Sequence, residues 1–309
     1  KETARCYNFQ LSLTSAVFLM SAVEEPDAKR HKACTIQHGA LFTDIVSALA
    51  AYFEGLHQCN VKRLQDVWHP EAHLYGVAPD GKSVVDRDAP TFFAGVVTRG
   101  NSEHLAEFDQ IVKIDTASQH CAVAKVQIAL PASPTSPTPT LTDVLYTDFL
   151  VLLCLGGRWQ IISKVFSSVP LTQSSYHEPS ELLSTTWAEP VAGVLEYYRG
   201  GHLSQTEIMS ENFHEVARLC YSDEAGELVH LSRDAFFERV RARPPTAGDA
   251  MALKFDKIMS VDKAGPDVAL IKLQIGYPPV LYTDFLSMLR LAGRWWIIAK
   301  SSDNEPFKP

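Results

Sequence analysis

The chain has 309 residues, of which 46% are hydrophobic and 21% are charged, and its formal net charge at pH 7 is −8. This composition is that of a globular protein with one large or two ordinary domains, and it excludes disordered and fibrous classes. An acidic chain without a basic cluster lacks the positive surface that nucleic acids require. No nucleic-acid partner is therefore expected.

The six cysteines lie at positions 6, 34, 59, 121, 154 and 220, and the nearest two are 25 residues apart. This spacing contains no pair suited to a zinc knuckle or a redox motif, so free buried thiols are predicted. The apolar stretch 11–23 is too short to span a membrane. Its charged flanks are typical either of a targeting segment or of a helix that packs on a partner, and the compartment stays unassigned.

An internal repeat organises the chain. LYTDFLVLLCLGGRWQIISK (145–164) recurs as LYTDFLSMLRLAGRWWIIAK (281–300), with 14 of 20 positions identical. Residues 108–128 align without a gap to 255–275, and the main length difference is the Pro-rich insert 131–140. The repeat predicts an extension (1–37), a first domain (38–170), a linker (171–185), a second domain (186–303) and a tail (304–309).

Hydrophobic periodicity predicts the same order of elements in both copies. In the first copy these are an amphipathic helix at about 40–58, a short helix after Asn60, a hairpin around Asp80 and Gly81, a helix at about 89–97, and four long strands with turns at Ala117-Ser118 and Gly156-Gly157. Helices followed by an antiparallel meander define an α+β fold.

Three motifs carry a resemblance to a known family: Tyr52-Phe53-Glu54-Gly55, His69-Pro70 and Tyr146-Thr147-Asp148-Phe149-Leu150. They resemble the lumazine-binding group of the nuclear transport factor 2-like superfamily. The resemblance spans 40–168 and, more weakly, 186–302. In the second copy His214 precedes Glu215 instead of proline, and Tyr197-Tyr198-Arg199-Gly200 replaces the first motif.

The resemblance implies two cone-shaped domains, each a curved antiparallel sheet wrapped around helices, with a pocket at the open end of the cone. Members of the superfamily include SnoaL-like polyketide cyclases, ketosteroid-isomerase-like and dehydratase-like enzymes, and binding or scaffold domains without activity. Because such domains commonly dimerise through their sheets, the tandem pair is expected to form a pseudo-dimer within one chain.

Asp148 and Asp284 interrupt apolar strands at equivalent positions. A carboxylate facing a dry pocket has a raised pKa and can act as a general base. The competing interpretation is structural, because strand alternation also allows Asp148 to face the partner sheet and pair with Lys164 of the adjacent strand. Lys300 accompanies Asp284 in the same way.

Tyr75 is predicted to partner Asp148, since a tyrosine hydroxyl beside a carboxylate in an apolar site can stabilise an enolate. His69 and His214 follow the second helix of each copy and could act as acids or bases near neutral pH, or simply end the helix. His73 becomes Arg218 in the second copy, and no metal site is predicted.

Further side chains are candidates for lining a ligand pocket, although most are also suited to a helix-on-sheet core. These are Tyr52, Phe53, Trp68, His73, Tyr146, Trp159, Tyr198, His214, Tyr221, Asp284 and Trp295.

Two functions from different classes stay open at this point. In the first, the chain binds a compact organic molecule and isomerises, dehydrates or cyclises it by acid–base chemistry with no cofactor. In the second, it is a non-catalytic module that binds protein partners through its sheet faces, the stretch 11–23 or the insert 131–140. The sequence does not decide whether the protein is an enzyme.

Overall fold

The structure is a computed structural model that describes residues 28–131, 142–171, 188–246 and 253–307, with side chains from residue 41 onward in the first helix. Within these ranges, no helix is long and apolar enough to cross a membrane. The apolar stretch 11–23 and nearly all of the insert 131–140 lie outside the described residues. The docking roles of these two segments therefore stay predictions.

The first half of the chain forms the elements that the periodicity predicts, in the predicted order. They are α1 (Ala28–His57), α2 (Val61–Gln65), β1 (Trp68–Val77), β2 (Val84–Asp88), α3 (Ala89–Val97), a 3₁₀ helix (Glu103–Phe108), β3 (Gln110–Thr116), β4 (Cys121–Leu130), β5 (Val144–Leu155) and β6 (Arg158–Pro170). Asn60 caps α2 by accepting a hydrogen bond from the backbone N–H of Arg63. The 3₁₀ helix was not predicted.

The second half repeats this order, which confirms the tandem arrangement. Its elements are α4 (Ala188–Leu203), α5 (Thr206–Ser210), β7 (Phe213–Ser222), β8 (Leu228–Ser232), α6 (Arg233–Arg241), β9 (Lys257–Lys263), β10 (Val268–Tyr277), β11 (Val280–Leu291) and β12 (Arg294–Pro306).

Each half contains one six-stranded sheet, with strand orders β2-β1-β6-β5-β4-β3 and β8-β7-β12-β11-β10-β9. All neighbours are antiparallel except β1 with β6 and β7 with β12, which are parallel. The predicted antiparallel sheet is thus present in each half, with one parallel pair added. The parallel pair arises because the meander β3 to β6 folds back until its last strand lies beside the first strand of the domain.

The two faces of each sheet have different neighbours, because side chains along a strand alternate between faces. In β5, Leu150 and Leu152 pack with α1 side chains such as Leu49 in a core within the first half. We call the space enclosed by the first sheet and α1 the first cone, and its counterpart in the second half the second cone. The second cone has its own core.

The outer faces of the two sheets pack against each other. Phe149 and Val151 of the first sheet share one buried core with Phe285 and Leu289 of the second. Reciprocal ion pairs flank this core: Lys125 Nζ lies 3.0 Å from Asp262, and Lys272 Nζ lies 2.7 Å from Asp115. The predicted pseudo-dimer is therefore present within the chain, and the sheet faces proposed for protein partners cover each other.

Some boundaries differ from those predicted. α1 begins at Ala28, inside the predicted extension 1–37, and β12 continues to Pro306, inside the predicted tail. Cys121 and Cys220 are buried free thiols, whereas Cys59 and Cys154 are half-buried. The other two cysteines lie outside the part of the chain whose side chains are described.

Candidate functional site

Three polar side chains meet inside the first cone. The Tyr52 hydroxyl donates a hydrogen bond of 2.8 Å to Asp148 Oδ2, and Lys164 Nζ lies 2.7 Å from the same oxygen. Lys164 also donates to the Tyr52 hydroxyl over 2.8 Å. All three residues are buried, with Asp148 and Tyr52 at 0% exposure. The predicted pairing of Asp148 with Lys164 is present, but Asp148 faces α1 and not the partner sheet.

A β-bulge in β6 brings Lys164 into the first cone. Val151 pairs with Ser163 and Leu152 pairs with Ile161, so Ile162 is an extra residue without an opposite partner. Strict alternation from Ile161, which faces the cone, would place Lys164 on the outer face. The bulge reverses this alternation, so Lys164 faces the first cone and lies diagonally across from Asp148. β12 has the same bulge at Ile298.

Burial dominates the electrostatics of the cluster. It lowers the pKa of Lys164, an effect that the charge of Asp148 opposes. It also raises the pKa of Tyr52, and the neighbouring carboxylate raises it further. The Lys164 ammonium is thus held in an environment that penalises its charge, and the Asp148 carboxylate in contact with it opposes this penalty.

Aromatic rings surround the Lys164 ammonium. Four centroids lie within cation–π distance of Nζ: those of Tyr52 at 5.5 Å, Tyr146 at 5.6 Å, Phe166 at 5.6 Å and Phe92 at 6.0 Å. Gly76 makes room for one of them, because a Cβ at this position would lie 2.5 Å from the Phe166 ring. The site is therefore shaped to hold a positive charge at Nζ.

Five buried side-chain polar atoms of the first half have no hydrogen-bond partner among the described residues. Three of them, Asp148 Oδ1, Trp68 Nε1 and Arg99 Nη1, belong to the cluster or to residues that act on it. The Trp68 ring stacks on Tyr52 and Phe92 at centroid distances of 6.0 and 4.7 Å. The charge of Arg99 acts on Tyr52 and Lys164, lowering the pKa of both. An acceptor and two donors are thus left for an additional group.

The second cone contains an equivalent cluster with its hydrogen bonds arranged differently. Tyr197 donates to Asp284 Oδ2 over 2.7 Å, while Lys300 pairs with Oδ1, so both carboxylate oxygens are engaged. Phe213, which has no polar atom in its side chain, occupies the position of Trp68. The two cones therefore share a framework, but the unpartnered carboxylate oxygen and indole belong to the first.

Tyr197 is a site residue that the sequence prediction missed. Tyr198 was predicted instead, but its hydroxyl donates to the Gln274 carbonyl over 2.9 Å, away from the carboxylate. Aligning Tyr197 with Tyr52 within the repeat would have found it. Phe92, Phe166 and Arg99 were also missed as members of the first cluster.

Tyr75 does not pair with Asp148, which corrects the prediction. Tyr75 belongs to the core between the two sheets, whereas Asp148 lies on the inner face of its sheet. In β1, Ala72 and Leu74 face the first cone, and the next residue points the opposite way. The residue that meets Asp148 is Tyr52 of α1.

The predicted histidines lie apart from the cluster. His69 lies in β1 and accepts a hydrogen bond from the Glu71 N–H over 3.1 Å, and His214 packs edge-on against Trp296. His73 pairs with Asp86 at 2.6 Å beside a small cavity between the sheets. Within the described ranges, no group of three or more His, Cys, Asp or Glu side chains could hold a metal.

The remaining predicted residues have structural contacts. Phe53 and Trp159 are buried in the first core. Trp295 is buried in the second and donates to Glu189 over 3.3 Å. The Tyr221 hydroxyl accepts a 2.7 Å hydrogen bond from Arg239 near the surface.

A second polar cluster, absent from the sequence predictions, fixes the end of α1. His57 bonds to Ser102 and to Asp109, each at 2.9 Å, and its side chain is buried. His202, Thr246 and Asp256 repeat this arrangement in the second half. Although the residue types resemble a nucleophilic triad, the ring is enclosed, so we interpret both clusters as clamps that hold the end of a helix to the segment before β3 or β9.

Acidification is expected to destabilise the fold through two half-buried histidines, His69 and His214. Burial lowers the pKa of His69 and of His214. The unfolded chain therefore binds more protons than the folded one, and stability is lost as the pH falls from about 6.5 through the folded pKa values. His214→Gln should flatten this loss when urea unfolding is measured between pH 7 and about pH 5. The exposed His104→Gln is the control, and equal slopes for His214→Gln and the wild type would contradict the prediction.

Comparison with known proteins identifies the family. The family described as "Putative lumazine-binding" matches residues 41–167 and again 188–302, which together make up more than half of the chain. The chain therefore belongs to this family and contains its domain twice in tandem.

Each individual relative matches a part of the chain that is about as long as one domain. The aldolase FrzH of a Cladobotryum species is 29% identical over 129 residues, which cover 41% of this chain and 90% of FrzH. A solved NTF2-like protein from Silicibacter pomeroyi is 25% identical, with a TM-score of 0.35, covering 42% of this chain and all of that one. A ketosteroid isomerase-like protein from Erwinia carotovora is 14% identical, with a TM-score of 0.31, covering 42% and 96%.

Proposed function

We propose that the first cone binds a compact organic carbonyl compound and acts on it by acid–base chemistry without a cofactor. One observation carries the proposal. Asp148 Oδ1 is buried and has no hydrogen-bond partner among the described residues, whereas both oxygens of Asp284 are engaged. Leaving a buried acceptor unpaired costs about 1–3 kcal/mol, so a ligand that supplies a partner is favoured.

The surrounding groups suit proton abstraction next to a carbonyl. Asp148 is the proposed base, and its unpartnered oxygen is free to take a carbon-bound proton. The Trp68 N–H, which has no acceptor in the described part of the chain, is a donor for the carbonyl oxygen, on which negative charge develops during the reaction. Tyr52 and Lys164 orient the carboxylate through its other oxygen.

The named relative supports this class of chemistry. FrzH is described as an aldolase, and aldol reactions proceed through a carbanion formed next to a carbonyl. Binding also requires movement, because the cluster is covered by side chains that include Phe92, whose ring stacks on Trp68. The second cone, whose carboxylate is fully paired, is proposed to support the first through the packed sheets.

Proton exchange in D₂O tests the proposal without knowledge of the natural substrate. Pyruvate, hydroxyacetone and cyclohexanone are incubated with the protein, and loss of the α-proton signals is followed by NMR. We expect exchange above the buffer rate for at least one probe, and a loss of about 10²–10⁴-fold in Asp148→Asn. Asp284→Asn is the matched control and should retain exchange.

Circular dichroism must show that both variants are folded. If no probe exchanges with the wild-type protein, and native mass spectrometry finds the chain without a ligand in a stable protein complex, the non-catalytic assembly module is the better function.

A further inference from the structure

We infer that Lys164 is a covalent nucleophile, which forms an imine with the oxo group of a compact oxo acid whose carboxylate is bound by Arg99. The inference rests on the proposed function and adds a covalent bond between Lys164 and the ligand. Three features carry it: a carboxylate in contact with the amine, an aromatic enclosure around Nζ, and the guanidinium of Arg99. Arg99 lies two residues after α3, the helix whose Phe92 ring is 6.0 Å from Nζ, and its Nη1 is buried without a partner among the described residues.

The first feature is a proton acceptor for the ammonium. Lys164 Nζ lies 2.7 Å from Asp148 Oδ2, and Tyr52 contacts both groups at 2.8 Å. Only an unprotonated amine attacks a carbonyl carbon, so the ammonium must first give up a proton. Burial lowers the pKa of Lys164 and so favours this step.

The bond changes balance within this site. Asp148 takes a proton from the Lys164 ammonium, and the freed electron pair forms a bond to the oxo carbon while the carbonyl electron pair moves to oxygen. A proton then passes from nitrogen to that oxygen, giving a carbinolamine. Asp148 returns its proton to the hydroxyl group, which leaves as water. An ammonium and a ketone become an iminium and water, with no change of charge and no redox partner.

The second feature fits the product of this reaction. The iminium bears its positive charge at the nitrogen that four aromatic rings and Asp148 already surround. The same rings exclude the water that would hydrolyse it. In the second cone the Tyr197 ring lies 6.0 Å from Lys300 Nζ. Lys300 pairs with Oδ1 of Asp284, whereas the corresponding oxygen of Asp148 has no partner among the described residues.

The third feature selects the class of carbonyl compound. Arg99 Nη1 is buried without a hydrogen-bond partner among the described residues, and the charge of Arg99 acts on Lys164. A guanidinium is the group best suited to bind a carboxylate. An oxo acid offers both the carbon that Lys164 attacks and the anion that Arg99 binds.

Borohydride trapping with pyruvate as the probe tests the inference. The full chain is incubated with pyruvate and sodium cyanoborohydride at about pH 7.4, and carboxyethylated lysines are located by peptide mass spectrometry. We expect Lys164 to be labelled at least tenfold more than the exposed Lys82. Lys300 is the matched internal control and should stay unlabelled.

Two variants sharpen the result. Lys164→Arg keeps the charge but has no nucleophilic amine, so it should lose the adduct. Arg99→Gln should reduce labelling by pyruvate about tenfold and leave labelling by hydroxyacetone, which has no carboxylate, nearly unchanged. Equal effects on both probes would overturn the role of Arg99.

The outcomes separate this inference from the proposed function. Labelling confined to exposed lysines in a wild-type protein that does exchange α-protons would overturn the covalent step and leave the acid–base function standing. Absence of both adduct and exchange in the wild-type protein would overturn both.

Discussion

Replacing Lys164 with methionine is expected to lower the free energy of unfolding by about 3–5 kcal/mol, because it leaves the Asp148 carboxylate buried without its counter-ion. Asp148 is 0% exposed, and its hydrogen bonds within the cone come from Lys164 and Tyr52. Methionine approximates the length of the lysine stem, so lost packing contributes little. Urea unfolding followed by circular dichroism measures the change.

A double-mutant cycle separates the charge effect from general damage to the core. Asp148→Asn combined with Lys164→Met removes both charges and should recover more than half of the lost stability. Lys300→Met is the matched variant in the second cone and should cost a similar amount, since its carboxylate is equally buried. A loss below about 1 kcal/mol for Lys164→Met would mean that the pair contributes as little as an exposed one.

Phe285→Ala should destabilise the protein by about 3–5 kcal/mol through a cavity between the two sheets. Phe285 is 0% exposed and belongs to the core that both halves share. Its counterpart Phe149, at 1% exposure, should behave alike because the interface is pseudo-symmetric. The measurement is thermal and urea unfolding of each variant.

Two controls test this prediction: a substitution on the surface and a double variant across the interface between the sheets. Val97→Ala removes an apolar side chain that is 63% exposed and should change stability by less than about 0.5 kcal/mol. If the sheets pack as described, the double variant of Phe149 and Phe285 should be non-additive, because both side chains line one core. Additive losses below about 1 kcal/mol each would indicate that the sheets separate readily.

The sequence alone was sufficient for the architecture. The repeated apolar strands and the helices were predicted from the local spacing of apolar residues. One example is α3, which has the predicted bounds Ala89–Val97. Asp148 with Lys164 and Asp284 with Lys300 could also be paired in advance, because neighbouring antiparallel strands bring such residues together. The aromatic candidates Tyr52, Trp68 and Tyr146 were predicted as ligand-lining, and the structure brings them to the Lys164 cluster.

The tertiary structure decided which residues face one another. Alternation predicts that Ile161 and Lys164 lie on opposite faces, but the extra residue Ile162 turns both into the first cone. A bulge depends on how the strand pairs, so the pattern of residues in one strand does not reveal it. Tyr75 was predicted beside Asp148, but it lies on the outer face of the sheet, because Ala72 and Leu74 of the same strand face the first cone.

Sequence therefore determined the fold class, the tandem repeat and the charged pairs, since these follow from local periodicity and strand adjacency. Only the packed structure decided that Tyr52 completes the cluster, and that one oxygen of Asp148 has no partner among the described residues while those of Asp284 are both bound. The physical reason is that hydrogen-bond satisfaction in a core depends on how helix and sheet are positioned in space, and side chains distant in sequence contribute to it equally.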